Sequence, residues 1–125
     1  MIDSSVVLAY LFDEPGGDRF EPYIDGGRMS AVNYSEVIAR LARRDADTPL
    51  IAPLVASFPL TIIDLGKDVA VIAGQLIAYT RDHGLSLGDR VCLAQAMVDD
   101  ATVVTADTAW LPLAETLALP IELIR

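Results

Sequence analysis

Along the chain, short runs of alternating or continuous apolar residues take turns with longer stretches of helical period. Met1-Ile2 predicts a very short first strand, and Ser4 to Phe12 continues as an apolar helix. Asp13-Glu14-Pro15-Gly16-Gly17 reads as a turn, and Asp18 to Ile24 as a short helix stopped by Asp25-Gly26-Gly27. Arg28-Met29-Ser30 predicts a brief strand before a helix from about Val32 to Arg43. In that helix Val37, Ile38 and Leu41 form the apolar face and Arg40, Arg43 and Arg44 lie opposite. Thr48 to Ser57 predicts a helix with Pro49 in its first turn, where a missing N–H costs nothing. Further strands are predicted at Leu60–Ile63, Thr102–Thr105 and Ile121–Ile124, and helices at Asp68–Arg81, Asp89 to about Val98 and Asp107–Leu117.

Strands separated by helices predict an α/β domain with a mainly parallel sheet, whose strand C-termini share one edge. Four acids fall on that edge. Asp3 ends the first strand, Glu36 lies early in the third helix, Asp89 opens the helix after Leu85-Ser86-Leu87-Gly88, and Asp107 follows the strand ending at Thr105. Each has a structural explanation of its own. Asn33-x-x-Glu36 and Ser86-x-x-Asp89 match capping boxes, and Asp107 is placed to cap a helix. Their convergence argues for more, because carboxylates about 5 Å apart repel by roughly 3 kcal/mol per pair at an effective dielectric near 20. Such a group calls for a cation, for shifted pKa values, or for both.

Composition narrows the chemistry. The chain has 125 residues, enough for one core over 1–125, and 53% of them are hydrophobic, which excludes a disordered chain. One cysteine, Cys92, and one histidine, His83, exclude a disulfide, a multi-Cys zinc site and a His–His acid–base pair within the chain. Cys92 sits among apolar neighbours and is expected in the core, as is Trp110, and His83 is expected at an exposed helix end. All-oxygen ligands select Mg²⁺ or Mn²⁺ over Zn²⁺. A net charge of −9 excludes a basic protein that coats nucleic acid. The longest uncharged stretch, Thr48–Ile63, is interrupted by Pro49, Pro53 and Pro59 and does not predict a membrane span. With no signal-peptide pattern at Met1, the expected location is the cytoplasm.

Four segments carry a family resemblance: Met1-Ile2-Asp3-Ser4-Ser5, Ser30-Ala31-Val32-Asn33-Tyr34-Ser35-Glu36, Leu85-Ser86-Leu87-Gly88-Asp89 and Val103-Val104-Thr105-Ala106-Asp107. Together they resemble PIN-domain ribonucleases, and most of all the VapC-type toxins of bacterial toxin–antitoxin pairs. The resemblance implies a three-layer α/β/α domain with a mainly parallel central sheet of about five strands. It implies a Mg²⁺ or Mn²⁺ site made by Asp3, Glu36, Asp89 and Asp107, with Ser5 and Thr105 as supporting hydroxyls. The implied activity is endoribonucleolytic, by in-line attack of water that leaves a 5′-phosphate. Implied partners are an RNA substrate and a VapB-type antitoxin whose C-terminal segment covers the acids.

The arginines are the remaining question. Arg40, Arg43 and Arg44 form the only local basic cluster, and Arg90 adjoins Asp89, so Arg40 and Arg90 are the expected contacts to RNA phosphates. The uncharged segment Thr48–Ile63 and the aromatic residues Phe12, Phe20, Tyr23 and Tyr34 suit a homodimer face and a groove for a partner helix. The competing reading from another class is a non-catalytic PIN-like scaffold that uses the acids only as caps. A receiver-like phosphoacceptor fits less well, because Asp3 is followed by Ser4 and the single lysine, Lys67, precedes a helix.

Overall fold

The computed structural model describes residues 1–44 and 47–125. Chain order runs α1 (Ser4–Leu11), α2 (Glu21–Ile24), β1 (Arg28–Ser30), α3 (Ala31–Ala42), α4 (Thr48–Ala56) and β2 (Thr61–Ile63). It continues with α5 (Lys67–Gln75), α6 (Ile77–Thr80), α7 (Leu87–Asp99), β3 (Val103–Thr105), α8 (Leu111–Thr116) and β4 (Ile121–Leu123). Short 3₁₀ turns precede α2 and α8 and follow α6.

All strand pairing is parallel. Arg28, Met29 and Ser30 of β1 register with Thr61, Ile62 and Ile63 of β2, and Val103, Val104 and Thr105 of β3 with Ile121, Glu122 and Leu123 of β4. The first residues join the two pairs. The Ile2 N–H donates to the Arg28 carbonyl at 2.8 Å, and the Asp3 N–H to the Val104 carbonyl at 2.9 Å. Among the described residues, the expected five strands are four strands plus a single bridge at Ile2 opposite Val104, which gives way directly to Asp3 as the cap of α1.

Alternation across the pleat sends side chains to two cores. Met1 and Val103 pack with Val91, Trp110 and Leu113 under α5, α7 and α8. Their neighbours Ile2 and Val104 pack with Val6, Met29 and Val37 under α1, α3 and α4. Two parallel strand pairs, linked through Ile2 and Asp3 and lying between two helix-covered cores, give the three-layer arrangement expected. Cys92 and Trp110 are fully buried, as predicted.

Three predicted helices are divided, each for a local reason. Pro22 and Pro112 lack the N–H that a continuous helix would use, so each sits at the start of a new one, α2 or α8. The span 68–81 breaks at Leu76, whose carbonyl accepts the Thr80 hydroxyl at 3.0 Å as well as backbone N–H groups. Gly66 holds the cap position of α5, and Asp68 lies in its first turn.

Candidate metal and nuclease site

Asp3 is the centre of the rim. It is 3% exposed, and it caps α1 by accepting from the Ser5 N–H. One of its oxygens, Oδ2, also accepts from the Ser5 hydroxyl and from Thr105 Oγ1 at 3.0 Å. The two predicted supporting hydroxyls therefore both touch the carboxylate they were expected to support. Ser5 Oγ further accepts from the Ala106 N–H, and Thr105 Oγ1 from the Asp107 N–H, which locks the turn after β3 onto Asp3.

The other oxygen of Asp3 faces Glu36. Ser4 Oγ lies 3.0 Å from Glu36 Oε2 and 3.4 Å from Asp3 Oδ1. Asn33 Nδ2 lies 3.1 Å from Glu36 Oε2 and 3.3 Å from Asp3 Oδ1. Two neutral donors thus bridge two acids. Gly88 allows the third element in: a Cβ there would collide with the Glu36 carboxylate. Asp89 follows directly, half-buried, in the predicted capping box, where its Oδ2 accepts from the Ser86 N–H at 2.6 Å and its own N–H donates to Ser86 Oγ.

The electrostatics follow from this crowding. Burial pushes the Asp3 carboxyl up to about 6, the Ser5 hydroxyl acts against that shift, and the charge of Asp89 adds to it. Glu36 is raised as well, by burial first, opposed by the Ser4 hydrogen bond and assisted again by Asp89. Asp3 and Glu36, from separate segments, thus both sense the charge of Asp89.

Asp107 is placed differently. It is exposed, and its side chain caps the following 3₁₀ turn by accepting from the Ala109 N–H at 2.9 Å. It joins the others through its backbone bond to Thr105. Among the described residues, no three acidic, His or Cys side chains form a ready metal cage. The donor set nevertheless fits a hard dication in kind. It is all oxygen, and it includes a buried carboxylate held above its usual range beside a second acid that shares its hydrogen-bond donors.

Some expectations need correction. Asn33 does not cap α3: Ser30 does, its Oγ accepting from the Asn33 N–H at 3.0 Å, which turns Asn33 inward. Arg90 donates from Nε to the Ala73 carbonyl at 3.1 Å and from Nη1 to the Leu85 carbonyl at 3.4 Å, so it fastens α7 to its neighbours. Arg44 stacks over the Phe12 ring at 3.9 Å. Asp99 pairs with Arg28 at 2.9 Å, which offsets its unfavourable place at the end of α7. His83 ends its 3₁₀ turn as predicted, although half-buried. Arg40 and Arg43 are exposed, and with Leu8, Phe12, Ser5 and Glu36 they line a cleft of about 450 Å³ between α1 and α3 that reaches the site at Glu36.

Ser4 and Asn33 were overlooked as site residues in the sequence. Beyond the capping box it suggests, Asn33 stands in the sequence as a polar residue on the apolar side of its helix, one turn before Glu36. Arg125 was also missed: its Nε donates to the Ala106 carbonyl at 2.7 Å, beside Asp107.

An α/β domain that gathers acids from separate segments at its strand C-termini defines the class: a domain with an anionic rim suited to a dication. The PIN domain family profile matches residues 1–115, and the chain belongs to that family. It is 31% identical over 111 residues to Ribonuclease VapC42 of Mycobacterium tuberculosis and to VapC ribonuclease Mb2780c of Mycobacterium bovis, covering 78% of this chain and 82% of each relative. The fold is similar to that in the structure of VapBC-1 from nontypeable Haemophilus influenzae, with TM-score 0.71 and 13% identity, covering 99% of this chain and 96% of that one. It is also similar to FitAcB from Neisseria gonorrhoeae, with TM-score 0.66 and 22% identity, covering 96% and 94% of the two chains. Among the described residues, no helix is long and apolar enough to cross a membrane.

Proposed function

We propose that this protein is a Mg²⁺- or Mn²⁺-dependent endoribonuclease, the toxin of a type II toxin–antitoxin pair. One observation carries the reading: the buried Asp3 carboxylate shares two neutral donors with Glu36 while Asp89 stands close enough to raise the proton affinity of both. The names of the mycobacterial relatives agree with it.

When bound, the dication acidifies water and offsets charge on the leaving oxygen. Asp3 and Glu36 would hold it, and Asp89 and Asp107 would act directly or through water, Asp107 also orienting the nucleophile. Ser5 and Thr105 keep Asp3 in one orientation. Arg40, on the cleft wall, would meet a flanking RNA phosphate. Arg90 is a weaker choice for that role, given its two carbonyl contacts. The same cleft would seat an Arg-bearing segment of a VapB-type antitoxin. The exposed Leu50 and Leu54 on α4 would suit a homodimer face.

Asp89→Asn is expected to abolish Mn²⁺-dependent cleavage of RNA while changing stability by no more than about 1 kcal/mol, the scale of one cap. Normal cleavage by the folded variant would refute the ligand role. The capping contacts of Asp89 and Asp107 favour a second reading, a partner-binding scaffold without catalysis. Calorimetry decides between them: no heat with millimolar Mg²⁺ or Mn²⁺ would favour the scaffold.

A further inference from the structure

Asn33 has no exposed surface, and its side chain is satisfied from both ends. On one end the Ser30 hydroxyl donates to Oδ1, and the same hydroxyl oxygen accepts the Asn33 backbone N–H. On the other end the NH₂ group faces three oxygens: Asp3 Oδ1 at 3.3 Å, Glu36 Oε2 at 3.1 Å and the Gly88 carbonyl at 3.4 Å. Two hydrogens serve three acceptors. The opposite orientation of the amide would turn its carbonyl oxygen onto two ionised carboxylates and a third carbonyl, so the ionised site favours the orientation seen.

We propose that Asn33 is a positioning residue that assembles Asp3, Glu36 and the Gly88-Asp89 segment before a dication arrives. The assignment deepens the nuclease reading and rests on it. Two carboxylates brought together without a cation would swing apart or take up protons; a shared neutral donor holds their oxygens at one place without adding charge. The bond to Gly88 does the same for the start of α7, so a single amide sets the register of three segments distant in sequence. A dication then meets carboxylates already aimed, and less reorganisation opposes its binding.

The test is calorimetric titration of the full chain with Mn²⁺, alongside RNA cleavage at varied Mn²⁺. Asn33→Ala is expected to weaken Mn²⁺ binding by tenfold or more, in the range seen for groups that orient metal ligands. It should lower kcat with little change in KM for RNA, and added Mn²⁺ should restore the lost rate. A residue that only supported the fold would not show metal rescue. Should Asn33→Ala fail to fold, Asn33→Ser carries the test, since one hydroxyl hydrogen cannot span three oxygens. Parental Mn²⁺ affinity in either folded variant overturns the proposal, as does a parent protein that binds no Mn²⁺. A parent that binds Mn²⁺ but leaves RNA intact sinks the nuclease reading and not the role of Asn33.

Discussion

Asp3 illustrates how much one side chain carries. Its carboxyl is buried, caps a helix and accepts from Ser5, Thr105 and Asn33, yet its pKa is pushed up to about 6 because lost hydration outweighs those bonds. A carboxyl whose folded pKa lies above its unfolded value binds protons more tightly when folded. Its contribution is therefore most favourable at low pH and declines as pH rises through about 4 to 6. In metal-free protein, Asp3→Asn is expected to be more stable than the parent at pH 8, by up to about 3 kcal/mol, with the gap closing toward pH 4. Thermal melts of both proteins across that range check it, and a gap that does not vary with pH would refute it. The place of Asp3 on the rim was legible from its position directly after Met1-Ile2. Its bridging to Glu36 through Ser4 and Asn33 was not, because no short-range pattern records which distant acceptor a hydroxyl or amide will find.

At the scale of elements, the site depends on how closely α7 approaches α3. Gly88 is the contact: inside a helix, alanine would be favoured over glycine by about 1 kcal/mol, yet the Glu36 carboxylate fills the space a Cβ would need. Gly88→Ala is expected to push Glu36 aside and weaken Mn²⁺ binding tenfold or more, despite the gain in helix propensity. Titration calorimetry would show it, and unchanged affinity would mean that Glu36 is not a ligand. The start of α7 was readable from its Ser86-x-x-Asp89 box because that cap is local. The start of α3 differs from the local pattern, which offers Asn33 as the cap where the fold uses Ser30: both are good capping residues, and only the inward turn of α3 selects between them.

For the whole molecule, a net charge of −9 opposes a polyanionic substrate, and the described site concentrates several of those charges. Binding of RNA would then rely on bound dications and on exposed arginines beside the site. Arg40 is one of these, on the cleft wall, whereas Arg90 donates to backbone carbonyls and Arg44, though exposed, stacks on Phe12. Arg40→Ala is expected to weaken RNA binding to a similar degree for different sequences and to reduce the salt slope by about one. Binding curves at several salt concentrations test this, and an unchanged slope would remove Arg40 from the interface.

Helix and strand periods, turn residues and the ordering of acids along the chain are local properties, so the α/β class, the parallel sheet and the acidic rim were determined by sequence alone. The breaks at Pro22 and Pro112 were also written there, in residues that cannot donate an N–H, although the predicted helices ran through them. What only the folded chain decided is who meets whom: Asn33 and Ser4 between two acids, Gly88 against Glu36, Asp107 turned to Ala109, Arg90 spent on carbonyls. Those pairings depend on which segments the two cores draw together, and a hydrogen-bond donor takes the acceptor that packing brings within about 3 Å.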